Sequence, residues 1–399
     1  MDAISAARIR PSDAPRVQGD TPVLDTIHFN ATKTCNLGCV FCYDKAVRGK
    51  TENLPLSIVA EIAEDAAEMG ARRVILSGGE PMARRDWREV ASTFDAAGME
   101  VSLATNGTLI TDEVAEFLAT LKNPTISISI DGDHETHDRL RDQQGALAST
   151  LEGMAALRRH GLRFDVNATL SKMNVKDVPF LTKVARDYQC TMRLSLLHPN
   201  GRGTEFTNDA LEPEQIFELR EYCRVLRKGA NMNIFVNLPP LLMYLDEIIP
   251  GRGAACGWAE NFCGVLSNGD VAICGVASDE PDLVAGNVKQ KRFKEIWSTS
   301  PLFRYTRSLE TKNLKGICGR CPFNSVCGGA CRLSAYRHEG DLLGAYSECQ
   351  MFYDAGYIPE EILGPVREVE AEVAHPARQL SDRPEPLMQL RRKEAASSV

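Results

Sequence analysis

The chain has 399 residues, 13 cysteines and a formal net charge of −8 at pH 7. That length accommodates one large and one smaller domain, and the acidic balance argues against a nucleic-acid partner. No apolar run is long enough to span a membrane, and the first 18 residues carry Arg8, Arg10 and Arg16 without an apolar core, so they are no secretory signal. The expected location is cytoplasmic, where so many cysteines point to metal rather than to disulfides.

Residues 1–24 read as a polar, proline-punctuated arm. Residues 25–32 alternate polar and apolar, as a strand does, and the loop leaving that strand holds Cys35, Cys39 and Cys42 in a CxxxCxxC pattern, with Phe41 before the third cysteine. Soft thiolates select iron–sulfur clusters, zinc or copper(I). A structural zinc site wants four protein ligands, whereas three clustered thiols leave one iron of a cubane open to another molecule. A zinc knuckle with a distant fourth ligand is the alternative.

Residues 54–66 have helical apolar spacing, with Ser57 near the cap. Residues 73–77 form a short buried strand closed by Gly78-Gly79-Glu80-Pro81. Helices follow over 87–97, 113–121, 147–160 and 178–188. Between them lie strands over 101–105, ending at Asn106-Gly107, over 125–130, ending at Asp131-Gly132, and over 164–170, with a last one at 191–197. A strand followed by a helix, repeated about six times, implies right-handed parallel crossovers. The expected fold over 25–235 is α/β, a partial (β/α)6 TIM-like barrel. Its polar and glycine-rich turns sit at the carboxyl ends of the strands, where barrel folds place chemistry, and the cysteine loop leaves the first strand at that same end. Each turn has a plain alternative as a strand terminator, in which Glu80 is a solvated loop charge.

Residues 236–255, with Pro239 and Pro240, read as a connector. A cysteine-rich region spans 256–355. It begins with Cys256 and Cys263, and a hairpin is expected around Asn268-Gly269. Cys274 follows, then Cys318, Cys321, Cys327 and Cys331 as CxxCx5CxxxC, and finally Cys349. Two structural zinc ribbons would use the same residue types. Cys190 and Cys223 lie in ordinary helix and strand contexts and are expected to be small buried residues. Residues 356–399 are charged and proline-containing, an expected mobile extension.

The N-terminal triad resembles that of the radical S-adenosylmethionine (SAM) superfamily. The order Cys256, Gly269, Cys274, four-cysteine run, Cys349 resembles the SPASM extension found in part of that superfamily. The resemblance covers most of the chain and implies three [4Fe–4S] clusters. At the first, the open iron is chelated by SAM, whose reductive cleavage releases a 5′-deoxyadenosyl radical. It implies Cys35, Cys39 and Cys42 as ligands of that cluster and Phe41 near the adenine. Gly78, Gly79 and Glu80 would hold the SAM amino group, for which a carboxylate is also physically suited. Ser129 would contact ribose and carboxylate; Asn167 and the Leu196 backbone would contact ribose and adenine. Arg141 would either reach the SAM carboxylate or pair with Asp138 or Asp142 on the surface, the latter being preferred. By the same resemblance Cys256, Cys263, Cys274 and Cys331 hold one auxiliary cluster, and Cys318, Cys321, Cys327 and Cys349 the other.

Auxiliary clusters suit reactions that move electrons to or from a substrate radical. The first expectation is therefore an oxidoreductase that matures a peptide, with a flavodoxin- or ferredoxin-type electron donor. The arm before residue 25 is too short for a leader-binding module, so a separate leader-binding protein is expected. A small-molecule substrate, such as a tetrapyrrole, sugar or cofactor precursor, is the alternative. Sulfatase maturation is disfavoured because Gly275 stands where that subgroup has an acidic residue. A non-catalytic iron–sulfur carrier is disfavoured by Gly78-Gly79-Glu80 and Ser129, since a carrier needs no SAM site.

Overall fold

The computed structural model describes residues 17–18, 21–230, 232–248, 256 and 260–365. Most of the expected N-terminal arm, the end of the connector and the tail from 366 onward lie outside the described residues. By contact the chain divides into two compact units. The first holds residues 17–237 and 261–300, the second residues 238–260 and 301 onward.

The first unit opens with a two-residue ladder, β1 (Val17–Gln18) and β2 (Thr21–Pro22), and is built on a ten-stranded sheet. The six anticipated strands are present as β3 (Thr26–Thr32), β4 (Arg73–Gly78), β5 (Glu100–Thr105), β6 (Thr125–Ser129), β7 (Asp165–Leu170) and β8 (Thr191–Leu196). They lie side by side in chain order, all parallel. Crossovers are made by α1 (Leu56–Glu68), α2 (Trp87–Ala96), α3 (Asp112–Thr120), the pair α4 (His134–Arg141) and α5 (Ala146–Arg159), and α6 (Val178–Asp187).

Burial alternates along these strands. In β6, Ile126 and Ile128 are fully buried while Ser127 and Ser129 are half-exposed; in β8, Met192, Leu194 and Leu196 are buried while Arg193 and Ser195 are not. Successive side chains of a strand point to opposite faces. The apolar row packs under the helices, as where Phe29 meets Phe94 of α2 edge-on at 5.3 Å, and the polar row is left for the inner face.

The sheet is wider than the six repeats. After α7 (Pro213–Ala230), β9 (Ile234–Val236) adds in parallel to β8. At the opposite edge β10 (Phe262–Val265) adds in parallel to β3, and β11 (Asp270–Ala272) and β12 (Val284–Asn287) follow antiparallel. The hairpin expected around Asn268-Gly269 thus forms, with Gly269 at φ +96. It joins the main sheet, although the sequence pattern groups it with the cysteine-rich region. Helix α8 (Phe293–Thr299) belongs to this unit too: Arg292, just before it, pairs with Glu64 and buried Asp65 of α1, and Trp297 Nε1 donates to the Pro22 carbonyl at 2.7 Å.

The second unit is helical and small. It contains α9 (Pro301–Ser308), α10 (Gly316–Arg320), α11 (Asn324–Cys327), α12 (Arg332–Glu339) and α13 (Ser347–Asp354). Buried Arg332 stitches its turns through the carbonyls of Gly329, Leu342 and Gly344.

Candidate active site and cluster sites

The cysteine loop is held from several directions. Its entrance is closed by a short bridge, Cys35 N to Val47 O at 2.9 Å and Val47 N to Lys33 O at 3.0 Å. The C-terminal end of α4 receives Gly38 N on the Arg141 carbonyl and Val40 N on the Leu140 carbonyl. Asn36 interlocks with the turn after β5, donating to Thr108 and accepting from Asn106. The result gathers Cys35 and Cys39 with Leu37, Ala46 and Ala146 into one buried cluster, with Cys42 packed against it; none of the three is in a disulfide. Burial pushes the Cys35 thiol up to about 12. A thiol in such a place ionises when a cationic partner arrives, which is what an iron–sulfur cluster supplies.

The glycines of Gly78-Gly79-Glu80 are explained by the strand beside them. Gly78 has φ +113 and a Cβ there would sit 2.4 Å from the Thr32 carbonyl oxygen; a Cβ on Gly79 would sit 2.2 Å from that of Thr34. Side chains at either position would push away the segment leading to Cys35. Instead Gly79 N and Glu80 N donate to those two carbonyls at 2.8 and 2.9 Å.

Glu80 is 1% exposed. Its carboxylate accepts from Thr105 Oγ1 at 2.9 Å, Asn106 N at 2.8 Å and Met82 N at 3.3 Å. Desolvation outweighs these donors and pushes the carboxyl up to about 7. In the ligand-free chain its contribution to stability is therefore fully present below about 4.5 and lost as pH rises through about 7. A ligand ammonium needs the ionised form, so SAM affinity is expected to fall as pH drops below about 7. Glu80→Gln is expected to weaken SAM binding roughly ten- to a hundredfold, the worth of a charge-assisted hydrogen bond, with iron content unchanged; calorimetry at several pH values checks both.

Arg141 is not the surface residue that the sequence suggests. It is 8% exposed and ion-paired with Asp131, itself 1% exposed, at the end of β6. Its Nη1 lies 3.6 Å from Cys39 Sγ and its guanidinium 5.7 Å from the centre of the Phe41 ring. The presumed partners are engaged elsewhere: Asp138 accepts from Gly145 N and Leu147 N at the start of α5, and Asp142 pairs with Arg48. Asp131 is held in turn by Thr169 N, and its own N–H donates to buried His137. Ser129 and Asn167 lie on the half-exposed inner row, with Ser195 donating to Asn167 at 3.4 Å. The Leu196 side chain belongs to the buried row, 6% exposed, which leaves its backbone for any ligand contact.

Sequence reasoning passed over the segment after β8. There Gly201, at φ +57, and Gly203 pack on the backbone of Phe41, Cys42 and Tyr43, and Arg202 donates to the carbonyls of Cys39 and Ala46 at 2.9 and 2.8 Å. The Gly-Arg-Gly run was the available signal, since glycines on both sides of a long cation mark a close backbone approach.

Among the described residues no three His, Cys, Asp or Glu side chains gather tightly enough for a single metal ion. In the second unit, Cys318, Cys321, Cys327 and Cys349 instead line one small pocket together with Ile317, Phe323 and Tyr346. Backbone donors already face two of these sulfurs, Tyr346 N at 3.2 Å from Cys318 and Phe323 N at 3.4 Å from Cys321. Four thiols around an apolar pocket, with N–H groups aimed at sulfur, fit an iron–sulfur cluster. Cys263 is fully buried in β10, in register with Ile27, and Cys274 follows β11; Cys256 and Cys331 belong to the second unit. Cys223 is fully buried, as expected, and Cys190 is half-buried.

Residues 29–182 match the family model of the radical SAM superfamily, and residues 256–322 match SPASM, an iron–sulfur cluster-binding domain. The chain belongs to the radical SAM superfamily and carries a SPASM region; it is a radical SAM enzyme that works with SAM and [4Fe–4S] clusters. It is similar to the AdoMet-dependent heme synthase of Methanosarcina barkeri, 32% identical over 341 residues, which cover 81% of this chain and 95% of that protein. It is also similar to the mycofactocin maturase MftC of Mycobacterium tuberculosis, 28% identical over 336 residues, 83% of each chain. The fold resembles that of Streptococcus suis SuiB bound to SAM, with a TM-score of 0.66 and 19% identity over 81% of this chain and 76% of that one. No helix among the described residues is long and apolar enough to cross a membrane.

Proposed function

We propose that this enzyme oxidises a tetrapyrrole haem precursor, converting a propionate side chain to a vinyl group with loss of carbon dioxide. The observation that carries this reading is the similarity to the heme synthase, which extends over 95% of that protein. The polar inner row supports it. Ser127 and Ser195 offer hydrogen bonds there, beside the Arg193–Asp165 ion pair at 3.3 Å. Such a surface suits a substrate with polar substituents.

Bound SAM and its cluster supply a hydrogen-abstracting 5′-deoxyadenosyl radical, and the auxiliary clusters an acceptor for the electron left when carbon dioxide departs. Cys35, Cys39 and Cys42 hold the first cluster; Gly78, Gly79 and Glu80 receive the SAM ammonium, with Phe41, Ser129, Asn167 and the Leu196 backbone around its nucleoside. The pocket of Cys318, Cys321, Cys327 and Cys349 takes an auxiliary cluster. A flavodoxin or ferredoxin delivers the starting electron.

Peptide modification is the second reading, favoured by the similarity to MftC over 83% of each chain. Anaerobically reconstituted protein, given SAM, a reductant and iron-coproporphyrin, is expected to yield a porphyrin lighter by one carbon dioxide and two hydrogens, seen by mass spectrometry. Steady 5′-deoxyadenosine release with the porphyrin unchanged would overturn the tetrapyrrole reading while leaving the radical SAM assignment intact.

A further inference from the structure

The connection that follows β8 reaches back to the cysteine loop and grips it by its backbone. A Cβ on Gly201 would stand 2.4 Å from the carbonyl oxygens of both Cys42 and Tyr43, so the approach is one that only glycine permits. Arg202 N donates to the Cys42 carbonyl at 3.0 Å. Its side chain then spans the loop, Nε to the Cys39 carbonyl at 2.9 Å and Nη1 to the Ala46 carbonyl at 2.8 Å. One guanidinium therefore fixes carbonyls on both sides of the third cysteine, a task for a rigid fork.

The partners matter as much as the grip. Every hydrogen-bond acceptor of Arg202 is a neutral carbonyl, so its charge is not cancelled at contact distance. Arg141, a buried arginine at this loop where Arg202 is half-buried, has Asp131 against it. The third nitrogen of Arg202, Nη2, is buried and has no hydrogen-bond partner, an unusual state for a guanidinium nitrogen. Buried Asp44 is the nearby carboxylate; no hydrogen bond joins it to Arg202, and its Oδ2 has no hydrogen-bond partner, so the two charges act on each other only from beyond contact distance.

We propose that Arg202 is a positioning residue for the SAM-binding cluster, locking Cys39 and Cys42 in place and stabilising the reduced cluster with a charge that no carboxylate pairs at contact distance. The physical basis is that reduction adds negative charge beside a half-buried cation, which solvent screens only in part. The role is independent of the substrate.

The test uses the full chain, anaerobically reconstituted, with Arg202→Met and Arg202→Lys. The SAM-binding cluster is identified by the change in its electron paramagnetic resonance signal when SAM is added, and is followed through a redox titration. Arg202→Met, which removes the charge, is expected to make the reduced form at least tenfold less favoured, a fall of about 59 mV for a one-electron couple. Arg202→Lys, which keeps the charge and loses the fork, is expected to stay near the wild-type midpoint. A wild-type midpoint in Arg202→Met at full iron content would overturn the proposal. If the methionine variant loses the cluster, the lysine variant decides: a midpoint near wild type supports the charge role, and a lowered one overturns it. Loss of the SAM-responsive signal from both variants, with the auxiliary signals intact, would leave Arg202 a clamp of the loop only and overturn its charge role.

Discussion

Replacing Cys35, Cys39 and Cys42 together by alanine is expected to abolish 5′-deoxyadenosine formation while auxiliary iron is retained. The three thiols are gathered in one buried cluster under a loop whose backbone is fixed by bonds to α4, to the turn after β5 and to the segment after β8. That frame does not depend on the sulfurs, so the substituted chain is expected to fold. No replacement ligand set is described near the loop: Glu80 is committed to three donors, Arg141 and Arg202 are cations, and buried Asp44 is a single carboxylate. The pocket of Cys318, Cys321, Cys327 and Cys349 lies in the other compact unit and draws no ligand from the triad. Iron analysis with an assay for 5′-deoxyadenosine under reductant checks the outcome. Turnover in the triple variant equal to that of the parent would refute the assignment of the triad.

The second large effect is expected at Arg141. Arg141→Met leaves Asp131 in the interior with its countercharge gone, and breaking a buried ion pair from one side costs about 3–5 kcal/mol. Asp131 keeps the Thr169 N–H as a donor, which places the expected loss at the lower end of that range. The double variant Arg141→Met with Asp131→Asn removes both charges and is expected to recover much of the loss, because no unpaired ion remains. Chemical denaturation of the cluster-free chain, followed by circular dichroism, gives the comparison. Equal stability of Arg141→Met and the parent would mean that water reaches Asp131.

The residues that misled sequence reading are those whose role depends on distant parts of the chain. The strands and helices of the six repeats were legible because their apolar rows alternate in two clear periods. Gly78-Gly79-Glu80 was legible as a strand-terminating turn, though not that the glycines make room for the carbonyls of Thr32 and Thr34. The sequence pattern assigns residues 134–141 no element and Arg141 a place on the surface, because that stretch is almost wholly polar; it forms α4, which buries His137, Leu140 and Arg141, and the carboxylate that neutralises Arg141 comes from the end of a strand. Helix α7 buries only a narrow stripe, Pro213, Ile216, Leu219 and Cys223, beneath a highly charged surface, so its pattern is faint. A three-residue strand such as β9 is too short for any period to register. The hairpin signal at Asn268-Gly269 predicts which strand β10 pairs with on one side. It says nothing of the other side, where the partner is β3, more than two hundred residues earlier.

That last pairing governs how the chain can be divided. Cysteine spacing suggests a seam near residue 256, as though the C-terminal region were a cassette that could be cut off or exchanged with that of a relative. Four residues of β10 lie in parallel register on β3, the strand that feeds the cysteine loop. A chain cut at 256 would strip one side of β3 and present its unpaired backbone to other molecules, the usual route to edge-to-edge association. A chimera joined after Ser300, beyond β12 and α8, would keep that edge covered. No single joint therefore frees the second unit, which also holds residues 238–260: the cut that spares β3 lies some forty residues beyond the one that the cysteine motif suggests, past Cys263 and Cys274, and it still parts 238–260 from 301 onward.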